Sequence, residues 1–141
     1  MKKYTVCICD DEQLIRDKLK KYILRYSFAY DVEIDLIELD AAEKLYDLTN
    51  PYDILFLDIR IGNRSIGIDI AEELRKRGNT SIIILTTALK SMSIDGYRAE
   101  PFRFIVKPFT EEEIIAVLNA CAHKLDRSVS VSYTHLTLPT N

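Results

Sequence analysis

Two short runs constrain this chain most. Residues 53–58 read DILFLD and residues 81–87 read SIIILTT. Apart from the flanking acids and threonines, they are continuously apolar rather than alternating. Such runs suit strands covered on both faces, as in a parallel sheet. Further strands are expected at 4–9, 33–39 and 102–106, with the two central ones at 53–57 and 81–86.

Amphipathic segments lie between them. Ile15, Leu19, Tyr22 and Tyr26 recur at helical spacing after the first strand. Leu45 and Leu48 mark a shorter second helix. A third is expected over 66–77, stopped by Gly78. A weak fourth spans 91–98, with Ser91, Ser93 and Gly96 inside it. The last is the clearest: Thr110 and Glu113 form a capping box, and Ile114, Leu118, Cys121 and Leu125 line one face. Strict alternation of strand and helix argues an α/β fold on a parallel sheet.

A length of 141 residues, 48% hydrophobic, suits one domain with one core. The net charge of -3 argues against a nucleic-acid grip within this chain. MKKYTVCICDD contains no apolar segment of signal-peptide length, and no stretch is long enough to span a membrane. A cytoplasmic location is therefore expected. Cys7, Cys9 and Cys121 read as buried free thiols in a reducing compartment. Four ligands at zinc spacing are not present, since His123 and His135 do not match the cysteines. His123, placed near the end of a helix, reads as a solvated side chain.

In open α/β sheets, ligands bind beyond the carboxyl ends of the strands. Asp10 and Asp11 follow the first strand and Asp58 the third. The fourth ends in Thr86, Thr87 and Ala88, and the fifth in Lys107 and Pro108. With strand order 2-1-3-4-5, these ends share one pocket. Three neighbouring carboxylates need a counter-charge. An oxygen-only set suits a hard cation, Mg2+ best of all, because it shares phosphate oxygens and keeps several waters. Asp58 can then act as a nucleophile toward phosphorus. Each residue alone also has a plain structural role: an acid caps a helix, a threonine caps the next, a lysine is a solvated charge. Those roles do not explain why all of them fall at strand carboxyl ends.

DDE after strand one, FLDI at strand three, TTA at strand four and FIVKPF at strand five together resemble the receiver domains of two-component response regulators. The resemblance covers about residues 3 to 126. It implies a flavodoxin-like, five-stranded three-layer sandwich of sheet order 2-1-3-4-5. It implies Asp58 as phosphoacceptor, with Asp10, Asp11, Asp58 and the Arg60 backbone carbonyl holding Mg2+ or Mn2+. Thr87 and Lys107 would be the switch hydroxyl and the phosphoryl-binding lysine, with Phe104 and Tyr97 as switch aromatics. Thr86 and Thr87 are adjacent, so a register shift would exchange them. The resemblance also implies a cis Lys107–Pro108 peptide that aims the lysine into the pocket. GYRAEPFRFIVKPF is most similar to receivers that precede a LytTR-type DNA-binding domain. Gly67 lies nine residues after Asp58, one more than the common spacing.

The function implied is a phosphorylation switch that takes its phosphoryl group from a sensor histidine kinase, with no external turnover. It would be the receiver part of a truncated transcriptional regulator, able to dimerise and reaching DNA only through a missing downstream domain. A stand-alone receiver acting by protein contact is the alternative. An aspartyl-phosphate phosphatase would place an acid two residues after its nucleophile, where this chain has Arg60. The receiver is expected to occupy 1–127. Residues 128–141 carry no Lys, Arg, Asp or Glu, and SYTHLTLPTN resembles translated adapter sequence. That segment is expected to be extended or disordered and non-native.

Overall fold

The computed structural model describes residues 2–47, 52–60, 67–88 and 101–137, with side chains through 126. Five strands form one parallel sheet: β1 (Lys3–Cys9), β2 (Glu33–Leu39), β3 (Ile54–Asp58), β4 (Ile82–Thr87) and β5 (Arg103–Val106), in the order β2-β1-β3-β4-β5. The helices are α1 (Gln13–Tyr30), α2 (Gly67–Lys76) and α3 (Glu111–Thr137), with a 3-10 turn at Ala42–Asp47. β3 and β4 are buried at every residue, as their unbroken apolar runs require.

Alternation along the strands divides the core in two. Val6, Ile8, Ile54, Phe56, Ile82, Ile84 and Ile105 pack with Leu19, Ile23 and Tyr26 of α1 and with Ile114, Leu118 and Cys121 of α3. Cys7, Cys9, Leu55, Leu57, Ile83 and Leu85 pack with Leu45 of the 3-10 turn and with Ile70, Ala71 and Leu74 of α2. This is the three-layer sandwich with the predicted strand order. The three cysteines are free and buried, and burial pushes their thiols up to about 12.

Local signals hold with small shifts. Gly78 follows α2 with φ +91°, a conformation glycine adopts without strain. The Glu113 N–H donates to Thr110 Oγ1 at 3.2 Å and the Thr110 N–H to Glu113 Oε1 at 3.1 Å, closing the capping box. The second helix is one 3-10 segment rather than an α-helix. β3 and β4 each run one residue further than predicted, so Asp58 and Thr87 are the last ladder residues rather than the first loop residues. The weak helix at 91–98 lies outside the described residues.

The end of the last helix departs from expectation. The sequence pattern predicts a stop near residue 127 with extended chain beyond, yet the backbone stays helical to Thr137. Extending a nucleated helix costs little per residue, and SVSVSYTHLT contains neither Gly nor Pro. The first proline is Pro139, two residues after the helix ends. No described helix is long and apolar enough to cross a membrane.

Gly67 joins the fold to the strand end that carries Asp58. Its N–H donates to the Ile59 carbonyl at 2.9 Å. A Cβ at Gly67 would sit 2.2 Å from the Asp58 carbonyl oxygen and 2.7 Å from Ile59 Cα. Both are main-chain atoms that no rotamer change can move aside. Gly67→Ala is therefore expected to cost about 2–3 kcal/mol, the upper range for overpacking. A lowered urea midpoint with unchanged slope checks it.

Candidate functional site

The sheet ladder fixes the residues that follow each strand. The Asp10 N–H donates to the Leu39 carbonyl at 3.1 Å, the Ile59 N–H to Thr86 at 2.9 Å and the Lys107 N–H to Thr87 at 2.7 Å. Asp10, Asp58 and Lys107 thus stand on rigid backbone at one end of the sheet. The Lys107–Pro108 peptide is cis, as the resemblance implied.

Lys107 Nζ donates to Asp10 Oδ2 at 2.9 Å and to Asp58 Oδ2 at 3.1 Å. Both carboxylates are buried, Asp10 at 1% and Asp58 at 3% exposure. Each uses its other oxygen on a turn: Asp10 Oδ1 accepts the Glu12 N–H at 2.9 Å, and Asp58 Oδ1 accepts the Arg60 N–H at 3.0 Å. Asp10 therefore combines two roles. One oxygen shapes the entry to α1, whose N-cap Glu12 makes no side-chain cap bond, and the other faces the lysine.

Carboxylate oxygens of Asp10, Asp11, Glu12 and Asp58 lie within 4.8 Å of one another. A pocket of about 310 Å3, lined by Asp11, Glu12, Asp58, Arg60, Ala88 and Lys107, opens over them. Burial and the neighbouring Asp10 charge raise Asp58 to about 6, against the opposing pull of Lys107. Burial acts to lower Lys107, but the combined pull of Asp10 and Asp58 outweighs it and leaves the ammonium above its ordinary value. Four clustered carboxylates, three of them at 2.9, 3.1 and 3.8 Å from the Lys107 ammonium, form an oxygen-only donor set with excess negative charge. That fits a hard divalent cation rather than a soft one.

Thr86 and Thr87 are both buried to 1% exposure and belong to opposite sides of the sheet. Thr86 is in register with Asp58 and Ile105, on the α1/α3 side. Thr87 is in register with Val106, on the side where Phe104 packs. Neither lines the acidic pocket. Tyr97 lies outside the described residues.

Two residues of this region were not foreseen. Glu12 adds a fourth carboxylate, 3.8 Å from Lys107 Nζ; its signal is the third acid of DDE. Arg16 is buried and donates to the Asp10 carbonyl at 2.6 Å. Its signal is an arginine on the helical face of Leu19, Ile23 and Tyr26.

A family model described as the response regulator receiver domain matches residues 6–119. The chain is 36% identical over 115 residues to the sensory transduction protein LytT of Bacillus anthracis, covering 80% of this chain and 45% of that protein. It thus spans about half the length of the curated relatives it matches. Among solved structures it is similar to the response regulatory domain of mrkE from Klebsiella pneumoniae, with TM-score 0.74 and 26% identity over 87% of this chain and 98% of that one. It is also similar to the response regulator TrrA of Thermotoga maritima in complex with Mg2+-BeF, with TM-score 0.67 and 26% identity over 86% and 99% of the two chains.

Asp58 carries a consequence for metal-free stability. Below its ordinary value of 3.8 it is protonated in both folded and unfolded states. Between 3.8 and about 6 only the folded state keeps the proton, and above that the folded state bears the full cost of a buried charge. The cost grows as pH rises through this window. Asp58→Asn is expected to stabilise the metal-free protein near neutral pH by about 1–2 kcal/mol after solvent screening. Thermal melts in chelator should show the gap closing as pH falls toward about 4.

Proposed function

The chain belongs to the response regulator receiver domain family, and from that premise we propose that it is a phosphorylation-dependent signalling switch. Asp58 accepts a phosphoryl group from the phosphohistidine of a sensor histidine kinase. The carrying observation is one buried carboxylate held between Lys107 and a backbone N–H at the mouth of an acidic pocket. An Asp58 oxygen forms the new O–P bond while the N–P bond breaks, and the imidazole leaves with the electron pair. Lys107, already paired to Asp58, shifts its ammonium to the phosphoryl oxygens and offsets their charge.

Asp10, Asp11, Asp58 and the Arg60 carbonyl would hold Mg2+ or Mn2+, which when bound supplies positive charge beside the transferred group. The oxygen-only donor set supports this, as does the Mg2+-BeF complex of the similar TrrA. Thr87, next to the pocket residue Ala88, is the hydroxyl proposed to meet the phosphoryl group, with Thr86, in register with Asp58, as the alternative. From Thr87 the proposed signal passes to Phe104, on the same side of the sheet, and to Tyr97.

The longer LytT-type relatives support reading this chain as the receiver part of a transcriptional regulator with a LytTR-type output domain. In that reading the chain dimerises on phosphorylation, reaches DNA only through the downstream domain and works in the cytoplasm. The receiver unit is residues 1–127. Within the described side chains α3 packs on the core as far as Leu125, and Asp126 pairs with Lys2 and Tyr4. Residues 128–141 are proposed to be foreign to it.

Incubation with acetyl phosphate and Mg2+ should add one phosphoryl group to the wild type by intact-mass measurement, and none with chelator or in Asp58→Asn. Equal uptake by both proteins would refute the assignment.

A further inference from the structure

Arg16 is seated where a charge is costly. It lies on the apolar face of α1, in line with Leu19, Ile23 and Tyr26, and is 9% exposed. A guanidinium in such a place must have its donors met. Nη1 donates to the Asp10 carbonyl at 2.6 Å and Nη2 to Gln13 Oε1 at 2.6 Å. Nε is 3.3 Å from Glu38 Oε1 on β2. The ion pair is the longest of the three contacts, and the short ones go to neutral oxygens.

The Asp10 carbonyl belongs to the peptide plane that joins Asp10 to Asp11. The Asp10 N–H is already held by Leu39 of β2. With its carbonyl held by Arg16 as well, Asp10 is fixed on both sides, and so is the plane that leads into Asp11. We propose that Arg16 is a positioning residue for the acidic pair: by clamping the Asp10 carbonyl it sets where the Asp10 and Asp11 carboxylates point, and so sets divalent-cation affinity. This rests on the reading of Asp10 and Asp11 as metal ligands. Glu38 on β2 supports the guanidinium in turn and is shared with Lys20, whose Nζ is 3.3 Å from Oε2.

Charge alone makes the opposite prediction. Removing a cation beside an acidic cluster should tighten binding of another cation. Losing the clamp should weaken it, and outer-shell partners of metal ligands are typically worth about 10–100-fold in affinity. The sign of the change therefore separates positioning from electrostatics.

The test is Mn2+ calorimetry on the full chain, at a temperature where melts show each variant folded. Arg16→Met keeps the apolar stem and removes the donors. It is expected to bind Mn2+ about tenfold or more weakly. Arg16→Lys keeps the charge but offers a point donor instead of a fork, so it should restore part of the affinity, and Glu38→Gln should lose less than Arg16→Met. Unchanged or tighter binding by Arg16→Met overturns the proposal. If Arg16→Met does not fold, Arg16→Lys decides, and wild-type affinity in that variant overturns it. Absence of Mn2+ binding by the wild type would overturn both this proposal and the metal reading. Wild-type binding with indifferent Arg16 variants would overturn this proposal alone.

Discussion

An ammonium seated between two buried carboxylates ties together the carboxyl end of the sheet. Lys107 has a side chain 10% exposed, facing Asp10 and Asp58 at 2% and 5%. Without it, two acids from neighbouring strands would meet in a poorly hydrated place with no offsetting charge. Its reach matters as much as its charge. β5 and β3 are not neighbours, because β4 lies between them. The side chain reaches past the end of β4, where the small Ala88 lines the same pocket, to Asp58 of β3 and to Asp10 just after β1. Any insertion that lengthened β4 at that point would place bulk in its path.

Most of this arrangement was legible in the sequence because it follows from strand ends. Continuous apolar runs located β3 and β4, and the first polar residue after each run located Asp10, Asp58 and Lys107. Strand limits missed by one residue at Asp58 and Thr87, since apolar pattern ends before hydrogen bonding does. Helical spacing placed Leu19 and Tyr26 in the core but not Ile23. Helical spacing shows Arg16 on the apolar face of α1 but not what it holds: the Asp10 carbonyl just past β1 and Glu38 on β2 are placed beside it by the fold. The length of α3 was misjudged for a different reason. Uncharged Ser and Thr do not favour helix, but nothing in SVSVSYTHLT stops one already nucleated, and the barrier falls at Pro139.

The two faces of the sheet give the site its remaining logic. Strand alternation assigns Asp10, Asp58, Thr86 and Lys107 to the side covered by α1 and α3, and Thr87, Phe104 and Val106 to the side covered by α2 and the 3-10 turn. One step along β4, from Thr86 to Thr87, therefore crosses from the layer that holds the acids to the opposite layer. A hydroxyl fixed in a buried ladder can move little without its strand end moving too, since the Thr87 carbonyl also holds the Lys107 N–H at 2.7 Å. A pull on Thr87 from a group on Asp58 would act on the same peptide that anchors the lysine, while Phe104 packs on the far side. The Thr87 peptide thus holds the Lys107 N–H on its carbonyl while its side chain lies in the layer where Phe104 packs. Continuous ladders to β3 and β5 hold that end of β4 in place.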